Sequence, residues 1–190
     1  MAGIEVTVHR VVEILERCGL RYAVTGMLAG GVHGHPRQTI DVDISIAATS
    51  QKEWEETIET LKREGFVHRK RPDIHGFGIA LLESPDGWGV DVFFEDEAEV
   101  FERARKVEYY GKPVFFVSLE DLIRQKLKMG PRLKDTSDII ALLKTNEDKI
   151  DWSYFDRKLD DEEREKLNKL WRVARGELEA TAVFERANKS

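Results

Sequence analysis

At 190 residues the chain predicts one compact domain with a helical extension, and 41% apolar with 35% charged residues exclude a disordered polypeptide. Thirty Lys and Arg stand against 36 Asp and Glu, a net charge of −6, which argues against a protein whose main business is gripping duplex DNA. Cys18 is the single cysteine, so neither a disulfide framework nor a thiolate metal cluster is available. The opening MAGIEVTVHR lacks a basic stretch leading into an apolar run, and no segment approaches the ~18 apolar residues of a membrane span. A cytoplasmic protein without membrane contact is expected.

Val8, Val11, Val12, Ile14 and Leu15 fall at helical spacing between Val6 and Cys18, and Gly19 stops the run. Leu20 to Val24 predicts a short strand, Thr25 and Gly26 a turn, and Met27 to Val32 a short helix. After the interruption at Gly34, His35 and Pro36, Ile40 to Ile46 alternates strictly: Ile40, Val42, Ile44 and Ile46 on one side, Asp41, Asp43 and Ser45 on the other. Ser50 is placed to cap a helix running to Arg63, with Trp54, Ile58 and Leu61 on its apolar face and Gly65 at its end.

Strands from Phe77 to Glu83 and from Gly89 to Phe94 flank Ser84, Pro85, Asp86 and Gly87, a strong turn. A short helix from Ala98 to Ala104 precedes a second hairpin, Lys106 to Tyr110 and Val114 to Val117, split by Gly111, Lys112 and Pro113. Ser118 to Asp121 has the shape of a capping box. It opens a helix whose buried stripe is Leu122, Ile123 and Leu127 and which Gly130 and Pro131 end. Helices from Asp135 to Lys144 and from Asp160 to Glu177 follow. The order predicts an α/β (α+β) fold, a mixed β-sheet flanked by helices over residues 1–117, with C-terminal helices over 118–190 packed on it.

The stretch from Gly26 to Ile46 carries the most chemistry. Alternation puts Asp41 and Asp43 on one strand face, where neighbouring carboxylates repel unless a cation or proton lies between them. A solvated strand face is the plain alternative. Against it, Asp is depleted in strands, and Asp91 repeats the pattern between Val90 and Val92. Acids on adjacent strands, offering oxygen ligands only, suit Mg²⁺ beside a substrate's phosphates, and their carboxylates are expected to converge on a cation-sized point. Upstream, Gly26 lets a backbone come close to phosphate. Arg37 can reach a phosphate or bridge to an acid.

The run Gly26, Met27, Leu28, Ala29, with His33, Gly34, Pro36, Arg37, Thr39, Asp41 and Asp43, then Val90, Asp91 and Val92, resembles the DNA polymerase β-like nucleotidyltransferase superfamily. The likeness is greatest to small prokaryotic members similar to the abortive-infection-type nucleotidyltransferases. Ser118 to Ile123, Lys126, Leu127, Arg132, Lys134, Asp135, Asp138 and Ile139 are similar to the helical signature of that group. The resemblance spans residues 8–145. It implies a nucleotidyltransferase-like fold and metal-dependent transfer of a nucleoside monophosphate from an NTP to a hydroxyl, with pyrophosphate released.

Mg²⁺ or Mn²⁺ would then be held by Asp41, Asp43 and Asp91, the last also being the base. Gly26, Met27, Arg37 and Lys126 would contact the nucleotide. The acceptor is left open among RNA, a protein and a small molecule. Met27 departs from the pattern, which usually has Gly or Ser there: a thioether offers phosphate no hydroxyl, although the backbone N–H remains. That departure supports a second reading, a catalytically weak nucleotide-binding or interaction protein from a toxin–antitoxin-like pair, with a partner protein.

Other features take blander readings. His33 and His35 suit local hydrogen bonding better than zinc, for which cysteine ligands are lacking. Asp135 and Asp138 fit first-turn acids favoured by a helix dipole. Lys126, Lys128, Arg132 and Lys134, and the cluster His68, Arg69, Lys70, Arg71, fit solvated faces more readily than nucleotide or RNA contacts. Trp54, Trp152 and Trp171 fit packing between helices, and Trp88 a hairpin rim.

Overall fold

The computed structural model describes residues 3–69, 78–129 and 132–184. The chain divides into two compact units, the first comprising residues up to Ala29 with Gln38–Ser118, the second Gly30–Arg37 with residues from Leu119 onward.

The first unit opens with α1 (Ile4–Arg17), which buries Val8, Val11, Val12, Ile14 and Leu15. Its end is a Schellman closure, Leu20 N–H to the Leu15 carbonyl and Gly19 N–H to that of Glu16. Next come β1 (Tyr22–Val24), α2 (Gly26–Val32), β2 (Asp41–Ile46) and α3 (Gln51–Arg63). The Ser50 hydroxyl accepts from the Glu53 amide, as its spacing predicts, and Trp54, Ile58 and Leu61 are buried. After them lie β3 (Val67–His68), β4 (Ile79–Glu83), β5 (Gly89–Phe94), α4 (Ala98–Glu102), β6 (Arg105–Tyr109) and β7 (Lys112–Phe116). The division between the units falls inside α2.

The strands form one mixed sheet in the order β3-β4-β5-β2-β1-β7-β6. β2 runs parallel to β5, β1 parallel to β7, and the remaining pairs are antiparallel. Val42, Ile44, Ile46, Val90, Val92, Ala80, Leu82, Val24, Val114 and Phe116 are all buried. Register puts them on one face, the face against which α1 packs at β2 and β7. Ile40 departs from the predicted strand: it precedes β2 and is 73% exposed.

The second hairpin also turns elsewhere than predicted. Tyr109 pairs with Lys112, so Tyr110 and Gly111 alone make the turn, and Lys112 and Pro113 belong to β7. Both turn residues have positive φ, 48° and 80°, as a two-residue primed turn demands. Phe77, Lys70, Arg71, Gly130 and Pro131, to which strand, basic-cluster and helix-end readings were attached, lie outside the described residues.

In the second unit, α5 (Leu119–Lys128) and α6 (Leu133–Thr145) pack together, and α8 (Asp161–Ala174) packs on both. Between them α7 (Trp152–Lys158) contributes Tyr154 and Phe155, both buried. The Tyr154 hydroxyl donates to the Asp121 carboxylate. With burial and that carboxylate beside it, the phenol titrates far above its ordinary range. Asp160 closes a capping box with Glu163 at the start of α8. Among the described residues no helix is long and apolar enough to cross a membrane.

Candidate active site

Asp41 and Asp43 sit on β2 two residues apart, and the parallel register places Asp43 beside Asp91 on β5 and Asp41 beside Gly89. Laterally paired residues point to the same side of a sheet, so Asp41, Asp43 and Asp91 share the face opposite the buried aliphatic residues. This is the parity that alternation predicts. All are half-buried.

Asp43 is gripped from the strand side. Its carbonyl accepts from the Thr25 amide at 2.8 Å, which brings the start of α2 down onto it. Gly26 there has φ +60°, and a Cβ at that position would lie 1.9 Å from Asp43 Oδ2. Gly26 is therefore required twice, for its left-handed backbone and for the space it leaves the carboxylate. Met27 follows it and is buried, 6% exposed. Asp41 is held through Oδ1, which accepts from the Thr39 hydroxyl at 2.8 Å.

Asp91 has a partner the sequence reading does not single out. The Arg69 guanidinium donates to Asp91 Oδ1. Arg69 is thus not part of a solvated basic face. Seeing this beforehand requires knowing that β3 exists, and a two-residue strand leaves no periodicity to read. As the side chains lie, no three His, Cys, Asp or Glu among the described residues form a group that could hold a metal. The acids lie on the one sheet face and adjacent strands expected of them. Their chemistry still fits a hard cation: an all-carboxylate donor set suits Mg²⁺ or Mn²⁺ and gives zinc no advantage.

Arg37 and Lys126, the cationic candidates, belong to the second unit and meet on one acid. Lys126 Nζ donates to Asp138 Oδ2 at 2.8 Å and Asp135 Oδ1 at 3.4 Å. Arg37 reaches both Asp138 oxygens, Nε to Oδ1 and Nη2 to Oδ2, each at 3.2 Å. His35 Nε2 lies 3.2 Å from Asp138 Oδ1, and Arg132 Nε donates to Asp135 Oδ2 at 2.7 Å. Asp138 is 2% exposed and Lys126 7%, so a solvated lysine face does not describe Lys126; Asp135 lies in the first turn of α6 as expected, whereas Asp138 lies beyond it. Burial pushes the Asp138 carboxyl up, but hydrogen bonds and charge from Lys126 and Arg37 outweigh it and hold the group below its ordinary value. His33 is buried, and its carbonyl accepts from Asn146 Nδ2 at 2.8 Å.

No protein-family model matches the chain, and no curated protein matches it. Solved structures do. An antigenic nucleotidyltransferase-like protein from Paracoccidioides brasiliensis is similar at 17% identity and a TM-score of 0.62, covering 95% of this chain and 96% of its own. The lincosamide antibiotic adenylyltransferase LnuA, in its lincomycin-bound crystal structure, is similar at 14% identity and a TM-score of 0.54, covering 75% of this chain and 96% of its own. ANT(2")-Ia, in complex with adenylyl-2"-tobramycin, is similar at 16% identity and a TM-score of 0.50, covering 94% and 91%. At such identities the likeness is one of fold. The chain has the fold of these nucleotidyltransferase structures.

Proposed function

We propose that the chain is a nucleotidyltransferase that moves a nucleoside monophosphate from an NTP to a hydroxyl acceptor in the cytoplasm. The observation that carries this reading is the register of Asp43 with Asp91, with Asp41 on the same face and Gly26 pressed against Asp43. A solvated strand face gives no reason for a glycine backbone to pack against one of its acids.

Asp41, Asp43 and Asp91 are the residues that would hold Mg²⁺ or Mn²⁺, which when bound neutralises phosphate charge and eases ionisation of the attacking hydroxyl. The acceptor oxygen bonds to the α-phosphorus as the bond to the β-phosphate oxygen breaks. Pyrophosphate leaves with that electron pair, and Asp91 takes the acceptor's proton. The backbone at Gly26 and Met27 lies along the triphosphate, whereas Arg37 and Lys126 are engaged by Asp138 in the second unit.

The test is transfer from NTP labelled at the α-phosphate, with RNA ends, proteins and hydroxyl-bearing antibiotics as acceptors. Asp91→Asn is nearly isosteric and should lower transfer by about 10²-fold or more, with a far smaller effect on NTP affinity. Transfer unchanged in that variant contradicts the reading. A second reading rests on Met27, whose buried thioether leaves no hydroxyl for a phosphate: a nucleotide-binding protein of weak activity, paired with a partner protein. Met27→Ser distinguishes the two, since a gain in NTP affinity there means that the natural residue has weakened the grip.

A further inference from the structure

Arg69 lies at the end of a transverse row of residues. Its amide donates to the Leu81 carbonyl at 3.0 Å, which carries the pairing of His68 with Leu82 one residue further. Leu81 pairs with Asp91, and Asp91 with Asp43. Arg69, Leu81, Asp91 and Asp43 therefore line up across four strands on the acid-bearing face. Two strand spacings, about 9–10 Å, separate the backbones of Arg69 and Asp91. The long arginine stem spans them by crossing Leu81, and the guanidinium ends on Asp91.

The neighbouring row makes room for that head group. Gly89 lies opposite Asp41, and a Cβ there would come within 2.8 Å of Arg69 Nη1 and 3.2 Å of Asp41 Cβ. The guanidinium thus occupies the space above a glycine, between Asp41 and Asp91, where a cation shared by those acids would sit.

We infer that Arg69 is an internal counter-ion of this acid face, a tethered cation that occupies Asp91 and gives way to the divalent metal. The inference rests on the proposed metal role of the acids. It supplies a reason why the side chains do not form a three-acid group as they lie: one acid already has a cation. Two carboxylates on adjacent strands and a third two residues away repel one another, and a guanidinium among them relieves that repulsion. Apparent metal affinity is then the intrinsic affinity multiplied by the fraction of molecules in which Asp91 is released from Arg69. Arg69 acts through Asp91 and is a positioning residue, not a catalytic one.

The experiment is Mn²⁺ binding to the full chain without nucleotide, read from the electron paramagnetic resonance signal of free Mn²⁺. Five chains are compared: wild type, Arg69→Gln, Asp91→Asn, the Arg69→Gln, Asp91→Asn double variant, and Asp43→Asn. Arg69→Gln should bind Mn²⁺ about fivefold more tightly, the factor expected from losing a half-exposed ion pair. That gain should vanish in the Asp91→Asn background, because the two residues then no longer share an interaction. An equal gain in both backgrounds overturns the inference, since it reports long-range charge and no pairing. Unchanged affinity in Arg69→Gln, with wild-type binding still lost in Asp43→Asn, overturns it and leaves the proposed function standing. Failure of every chain to bind Mn²⁺ removes the metal reading and the inference together. Should the Gln variant not fold, Arg69→Met keeps an apolar stem over Leu81 and is read by the same criteria.

Discussion

Asp138 shows how much can hang on one buried charge. It accepts from Lys126 and Arg37, and His35 lies within hydrogen-bond reach. Asp138→Ala should cost about 3–5 kcal/mol, because it strands the Lys126 ammonium away from water with only the longer contact to Asp135. Equilibrium denaturation measures this. Asp138→Asn, which keeps the shape, should recover part of the loss and so separate charge from packing. The pH dependence follows from the lowered carboxyl. In the unfolded chain Asp138 titrates near 3.8, so its stabilisation is complete above that value and drains away as the pH falls through the lower folded value. Acid unfolding of Asp138→Asn should accordingly be flatter than that of the natural chain below about pH 4. At the acid face, Gly26→Ala should destabilise by about 1–2 kcal/mol from left-handed strain alone. It should also displace Asp43, so NTP affinity should fall in the same variant. Asp41, Asp43 and Asp91 were legible because alternation on a strand is a local signal. Arg69 and Asp138 were not, because their partners lie on other elements, and nothing near Asp138 in sequence announces that Lys126 or Arg37 will fold against it.

Helix ends were the most readable part of each element, since capping chemistry is written in adjacent residues. Ser50 caps α3, Asp160 caps α8, and the closure after Leu61 repeats that of α1, with Phe66 N–H reaching the Leu61 carbonyl. Asp160→Ala should therefore cost about 1 kcal/mol, seen as a lower urea midpoint without a change in slope. The β6–β7 turn misled because Gly111 and Pro113 both signal a break. The chain needs only Tyr110 and Gly111 to reverse, and β1 meets β7 at Val24 and Phe116, away from Pro113. The missing amide of Pro113 then interrupts no pairing with β1. Helix α7 was missed for another reason: seven residues contain too few turns to show a period. Its aromatic residues are placed by partners elsewhere, Trp171 at 5.1 Å from Trp152 and Asp121 at the Tyr154 hydroxyl. Tyr154→Phe should destabilise by about 1–2 kcal/mol, since it removes the hydroxyl that donates to the buried Asp121 carboxylate.

For the whole molecule, element order alone indicated a mixed sheet with helices, and the solved structures share that fold. The assignment of Gly30–Arg37 to the same compact unit as the C-terminal helices had no sequence signature, because it rests on contacts such as Asn146 to the His33 carbonyl and Arg37 to Asp138. On the proposed function, the acid-bearing face holds a metal-bound nucleoside triphosphate. Calorimetric titration of a non-hydrolysable NTP analogue tests it most directly, with Mg²⁺ or with chelator, into the natural chain and into an Asp41→Asn, Asp43→Asn double variant. The account predicts one-to-one binding that needs Mg²⁺ and is lost in the double variant while its thermal unfolding stays cooperative. Equal binding by both chains, or binding indifferent to Mg²⁺, would contradict it.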